Sequence, residues 1–245
     1  DSCYGIMIAR GDLAIEVPAE KVPGIQRMII KKCIAAKKPV IVATQMLHTM
    51  IDNPLPTRAE VSDIANAVYY RTDAVMLSGE TANGKYPLEA VQTMASIIRE
   101  AEATLEADYN DEVPYSKEVS TTTAFLAKQA VRSVDQIHTE AIVTDSFTGR
   151  TARYLSSFRA TVPVCAVCYD ATLSRQLALS YGVTAHFAEG ACDKARFAAG
   201  VKHFIADGLL KEDTQVAYMS GTVGQTGAAH SLEIDTVKDL LAKNA

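Results

Sequence analysis

Gly5-Ile-Met-Ile-Ala-Arg-Gly-Asp12 begins as a short apolar run and ends in polar residues. Pro39-Val-Ile-Val-Ala-Thr-Gln45 and Ala74-Val-Met-Leu-Ser-Gly-Glu80 repeat that change. Each apolar run is bounded by turn or polar residues and is too short for an independent helix, so the three read as buried parallel strands. Helical periodicity fills the segments between them. Ile25, Met28, Ile29, Cys33 and Ala36 recur at the spacing of one helix face, and Val61, Ile64, Ala65 and Val68 repeat the rhythm. Thr57 with Glu60 three residues on spells a capping box after Pro54 and Pro56, which marks the start of that second helix. Leu88, Val91, Ala95 and Ile98 predict a longer third helix running towards Leu105. Strand and helix therefore alternate as βα units.

The alternation breaks over residues 106–114, which are acidic, lack helical periodicity and end in Pro114. Such a stretch suits an inter-domain connection, with the boundary near residue 110 and domains of 1–109 and 110–245. Beyond it the pattern predicts a helix around Thr123 to Val134. Strands follow near Ala141 to Thr144, Val164 to Val167, Val183 to Phe187 and Gln215 to Met219. His230 to Asp235 reads as a last edge strand and Val237 to Lys243 as a short terminal helix, completing an open, mostly parallel sheet flanked by helices.

Composition bounds the partners. A chain of 245 residues with 48% hydrophobic and 22% charged residues fits one large or two modest globular domains. A net charge of -5 offers no broad basic field, so nucleic acid is not an expected partner, while a local anion site remains compatible. No run approaches the roughly 20 apolar residues of a membrane span, and no secretory leader pattern opens the chain. Five cysteines, an odd number without a paired framework, point to reduced thiols and hence to a soluble, cytoplasmic protein. Cys165 and Cys168 spell CxxC inside an apolar strand, whose pleat sends residues three apart to opposite faces, so they read as core rather than as zinc ligands.

The candidate chemistry follows the first three strands. Arg10-Gly11-Asp12, Thr44-Gln45 and Ser78-Gly79-Glu80 lie beyond the carboxyl ends of parallel strands, where α/β proteins bind ligands, and are expected to share one site. Gly11 admits close backbone approach to an anion, Asp12 is a hard oxygen ligand suited to magnesium, and Thr44 supplies a hydroxyl. The same Gly-Asp pair also fits a turn or helix cap. Arg10-Gly11-Asp12 matches an adhesion tripeptide by chance. Gly79 to Tyr86 resembles a P-loop but has Tyr86 where a Ser or Thr must hold magnesium, and Pro87 follows it. Thr148-Gly149-Arg150-Thr151 opens a helix after the strand ending at Thr144, so free amides, two hydroxyls and a guanidinium make a candidate phosphate site. The glycine-rich loop 220–227 either closes over that ligand or is a flexible loop before the edge strand. The five histidines show no ligand spacing.

Ile6-Met-Ile-Ala-Arg-Gly-Asp-Leu13, Ala43-Thr-Gln-Met-Leu47, Pro56-Thr-Arg-Ala-Glu60 with Ser62-Asp63 and Ala65-Asn-Ala67, and Met76-Leu-Ser-Gly-Glu-Thr-Ala82 together resemble the pyruvate kinase family. The resemblance implies a partial (βα) TIM-type barrel segment followed by a three-layer α/β/α domain with a mostly parallel sheet. It also implies phosphate transfer from phosphoenolpyruvate to ADP, giving pyruvate and ATP, with Mg²⁺ and K⁺, in a tetrameric protein. By that resemblance Asp12 is a magnesium ligand, the Gly11 and Asp12 amides contact substrate, and Thr44 binds substrate near the enolate face that receives a proton. Thr148 to Thr151 resembles the loop that binds a sugar-phosphate effector, and Phe147, a position that can be lysine in the family, leaves the effector's identity open. The family barrel has eight strands and this chain opens at what resembles the sixth. The catalytic lysine, the second magnesium-binding carboxylate and the potassium ligands are therefore expected outside these residues, and the chain alone is expected not to turn over. Three strands cannot close a barrel, so exposed edges and faces are expected in the first domain. An effector-binding module without catalysis is the alternative.

Overall fold

A computed structural model describes residues 2–105, 121–221 and 229–244. The acidic stretch 106–114 and most of the glycine-rich loop 220–227 lie outside the described residues. The chain divides into two compact units, residues 1–106 and 107–245.

The first unit is built on three parallel strands, β1 (Ile6–Ala9), β2 (Val40–Ala43) and β3 (Ala74–Met76), in the order β1-β2-β3. The register pairs Ala9 with Ala43 and Ala43 with Met76, so all three strands end at one level and their following loops leave the sheet side by side. Helix α1 (Arg10–Glu16) follows β1 directly, and α2 (Val22–Ala35) leads to β2. Helix α3 (Arg58–Tyr69) leads to β3, after which come the single turn α4 (Gly79–Ala82) and the long α5 (Pro87–Ala103).

The three runs read as buried strands, and three strands that cannot close a barrel were also expected to leave edges and faces exposed; β2 is the most buried, with Ile41 half-buried. Val40, Val42 and Ala43 are fully buried, whereas Met7 of β1 is 52% exposed. The reason is position: β2 has a strand on each side, while β1 and β3 are edges of a three-stranded sheet. Two helix faces also differ from the periodicity reading. In α2 the buried stripe is Gln26, Ile30, Cys33 and Ile34, and Met28 is exposed. In α5 it is Ala90, Met94 and Ala101, with Leu88 and Val91 exposed. Both helices carry apolar residues most of the way round, so several rows fit the 3.6-residue period and packing selects among them. Helix α3 needs no correction: Ile64 and Val68 are buried, and its capping box forms.

The second unit is a five-stranded sheet in the order β6-β5-β4-β7-β8. Its strands are β4 (Ala141–Ser146), β5 (Val164–Cys168), β6 (Val183–Phe187), β7 (Gln215–Ser220) and β8 (Ser231–Thr236). The first four run parallel and β8 closes one edge antiparallel to β7. Helices α6 (Thr121–Ile137), α7 (Arg150–Ser157), α8 (Ala171–Leu177), α9 (Lys194–Ala206) and α10 (Val237–Lys243) complete the unit. Val143, Cys165, Val167 and Tyr218 pack with Phe197, Val201 and Phe204 of α9 and Leu240 of α10. Ala166 and Cys168 pack with Ala152 of α7 and with Leu173 and Leu177 of α8. The strand pleat thus puts Cys165 and Cys168 in different cores, and burial pushes both thiols up to about 12, so they are packing residues.

Candidate active site

Because β1, β2 and β3 end level, Arg10, Thr44 and Leu77 start three adjacent loops. Thr44 and Gln45 are both left-handed, with φ of 69° and 54°, which curls the chain back over the end of β2. Helix α1 meets this curl: the Gly11 amide donates to Thr44 Oγ1 at 2.9 Å. Arg10 reaches the same loop, its Nε donating to the Ala43 carbonyl at 3.3 Å and Nη2 to the carbonyls of Thr44 and Gln45 at 2.6 and 3.2 Å. Its Nη1 pairs with Asp63 of α3. Asp12 sits in the first turn of α1 with its carboxylate exposed. Gly11 and Thr44, expected in one site, are in direct contact.

The third segment joins through Glu80 rather than through Ser78 or Gly79. The Glu80 side chain is buried, and its two oxygens accept from the Leu47 amide at 3.1 Å and the Ser78 amide at 2.8 Å, clamping the loop after β2 to the loop after β3. Glu60 adds a further tie. One oxygen accepts from the Thr49 amide at 2.7 Å and the other from the Thr57 amide of the capping box at 2.7 Å. Burial raises the Glu60 pKa, but these donors outweigh it and hold the carboxyl below its usual range. Arg10 and Glu80 stood in the segments expected to share the site but, like Asp63, were given no role of their own there. Apart from the Ser78 amide, two residues from Glu80, their partners lie 33 to 53 residues away, so no local pattern could show those contacts.

The P-loop-like stretch does not form a phosphate cradle. The Gly84 amide bonds back to the Gly79 carbonyl at 2.9 Å, and Lys85 turns to Asp52 at 2.9 Å on the surface. The donor chemistry at Asp12 does suit magnesium, which takes one or two carboxylates and fills its remaining positions with water and substrate oxygens. Among the described residues no three His, Cys, Asp or Glu side chains gather to hold a metal ion by themselves.

In the second unit Thr148 is exposed, Gly149 is buried at φ 72°, Arg150 is exposed and Thr151 is half-buried at the start of α7. The Gly149 amide donates to Ser146 Oγ at 3.0 Å, and the first helical bond runs from the Arg153 amide to the Gly149 carbonyl at 2.9 Å. The amides of Arg150, Thr151 and Ala152 therefore precede the helical ladder, the arrangement that attracts anions. A Cβ at position 149 would come within 2.7 Å of Leu173 Cδ1. Phe147 packs against Tyr169, ring centroids 5.2 Å apart. Asp145, one residue before Ser146, is pushed up to about 6 by burial, a perturbation that sequence pattern did not reveal.

Two family models match the chain. That described as pyruvate kinase, barrel domain, covers residues 1–91, and that described as pyruvate kinase, alpha/beta domain, covers residues 125–234. The chain belongs to the pyruvate kinase family. A pyruvate kinase from Borreliella burgdorferi is 43% identical over 243 residues, which are 97% of this chain and 50% of that protein. One from Geobacillus stearothermophilus is 42% identical over 99% of this chain and 42% of its own length. The crystal structure of a pyruvate kinase from Cryptosporidium parvum superposes with a TM-score of 0.85 at 32% identity, covering 96% of this chain and 47% of that one. The chain spans about half the length of the curated relatives it matches. The first unit is thus a segment of a barrel and the second the family's α/β domain, as the fold class read from sequence required. No helix among the described residues is long and apolar enough to cross a membrane.

Proposed function

We propose that the loops after β1 and β2 form one wall of a phosphoenolpyruvate and magnesium site, in a whole protein that transfers phosphate to ADP to give pyruvate and ATP. The observation that carries this reading is the bond from the Gly11 amide to Thr44 Oγ1, which brings the two segments together beside the exposed carboxylate of Asp12. In this reading Asp12 holds Mg²⁺ together with substrate oxygens, and the metal supplies charge neutralisation for the transferring phosphoryl group. The Gly11 amide donates to Thr44 Oγ1, so in this reading it is the Asp12 amide of α1's first turn that faces substrate anion, which helix polarity favours. Thr44 contacts substrate with its hydroxyl, near the enolate carbon that takes up a proton. K⁺, a tetrameric assembly and a cytoplasmic setting belong to the same reading by family. Phosphoryl transfer rests on positioning and charge stabilisation, so turnover requires the catalytic lysine and second carboxylate that the family carries on earlier strands.

The Thr148–Thr151 loop is proposed as a sugar-phosphate effector site, supported by the unladdered amides ahead of α7 and by the adjacent Arg150. Calorimetry with a panel of sugar phosphates tests it: heat that disappears in Thr151→Ala supports the site, and no heat with any phosphorylated ligand counts against it. The catalytic reading is tested on the full-length protein by initial rates with phosphoenolpyruvate, ADP, Mg²⁺ and K⁺. Activity that chelation of magnesium abolishes is expected, and Asp12→Ala is expected to lower it by about 1,000-fold. Full activity of that variant would sink the assignment of Asp12.

A further inference from the structure

Thr44 and Gln45 hold consecutive left-handed conformations that non-glycine residues avoid, at a cost of about 1–2 kcal/mol each. Such backbone persists only where its surroundings over-determine it. One side chain supplies most of that determination here. The carbonyls of Ala43, Thr44 and Gln45, three in succession, converge on the Arg10 guanidinium, and Met46 Sδ lies 2.9 Å from Nη2. Three successive carbonyls point one way only when the chain curls, so the same bonds that satisfy Arg10 require the curl. Arg10 also precedes Gly11, whose amide donates to the Thr44 hydroxyl. Thr44 is therefore gripped twice from α1, by its carbonyl and by its hydroxyl.

We propose that Arg10 is a positioning residue for phosphoryl transfer, acting through the Thr44 loop rather than on the substrate. This rests on the catalytic reading of the first unit. An arginine beside a phosphate site has an obvious alternative role as a direct anion ligand, and its bonding argues against that. Of its five N–H donors, those on Nε and Nη2 are directed to backbone and Met46, and Nη1 is paired with Asp63, which balances the charge. The side chain is only 11% exposed. A lysine could match the charge but not the fork, because an ammonium on a flexible stem cannot serve carbonyls and a carboxylate in fixed directions.

The test uses full-length protein carrying Arg10→Lys, Thr44→Ala or both. Misplacing a reacting group by an ångström costs on the order of 100-fold, so Arg10→Lys is expected to lower kcat by about that factor. The KM for ADP should stay within about twofold and the melting temperature near that of the parent. In the Thr44→Ala background the same change should cost less than about threefold, since the hydroxyl that the loop positions is gone although the carbonyls remain. An unchanged kcat in Arg10→Lys overturns the proposal, and so does an undiminished loss in the Thr44→Ala background. If Arg10→Lys does not fold, Asp63→Asn loosens the guanidinium while leaving it in place. Its smaller loss of kcat must likewise vanish with Thr44→Ala, and additive losses overturn the proposal. Absence of phosphate transfer in the parent protein would instead overturn the catalytic reading, and the positioning role with it.

Discussion

In the second unit β4 and β5 are closed to solvent along nearly their whole length, whereas in the first unit only β2 is and its neighbour β1 exposes Met7. Parallel strands are stable when both faces are covered. The second unit provides that cover, with α9 and α10 on one face and α7 and α8 on the other. The contrast extends to how each unit shapes its candidate loop. In the first, long side chains reach across to backbone: Arg10 to residues 43–45, Glu80 to Leu47 and Ser78, Glu60 to Thr49. In the second, the loop is shaped locally by a left-handed glycine and a serine three residues before it. A loop built by distant side chains depends on the whole unit, while a loop built by its own backbone depends on residue identity at a single position.

Substitutions in the two units should separate these modes. Gly149→Val combines left-handed strain for a β-branched residue with a clash on Leu173, and is expected to cost the second unit roughly 3–5 kcal/mol in urea unfolding. A cost under about 1 kcal/mol would mean that the loop adapts and glycine is not what shapes it. Glu80→Ala strands the Leu47 and Ser78 amides, and roughly 2–4 kcal/mol of first-unit stability should be lost. Proteolysis at residues 44–49 should become faster, and unchanged protection would break the idea that Glu80 clamps these loops.

The smallest effect concerns pH. Burial raises the folded-state pKa of Asp145 to about 6, above its unfolded value, so the folded state binds the proton more tightly. Its contribution favours folding below about pH 4 and is lost as pH rises through about 6. Asp145→Asn should therefore stabilise the second unit at pH 7.5 by on the order of 2 kcal/mol, with the advantage shrinking as pH falls towards 4. An advantage that does not change with pH would show that charge burial is not its source.

What the sequence revealed follows the same division. Local devices were legible: the capping box of Thr57 and Glu60, the opposite facing of Cys165 and Cys168, the final edge strand and the helix start at Arg150. Gly11 and Thr44 were placed together because parallel strands of matched register must end together. The buried faces of α2 and α5 were misread, since a helix apolar on several sides has no unique period and only tertiary packing chooses its inner row. Arg10 and Glu80 stood in the segments singled out after β1 and β3, but their tying roles, like the perturbation of Asp145, were not legible, because they depend on partners or burial that exist only in the fold.

The most direct test places the two candidate loops in one experiment. Initial rates of pyruvate formation are measured on full-length protein, parent against Asp12→Ala and Thr151→Ala, with saturating substrates and with or without a sugar phosphate that gives heat in calorimetry. Asp12→Ala should abolish most of the rate under both conditions, while Thr151→Ala should keep the rate at saturating substrate and lose only its response to the sugar phosphate. A full rate in Asp12→Ala, or a rate lost in Thr151→Ala that no substrate concentration restores, would contradict a catalytic first unit and a regulatory second one.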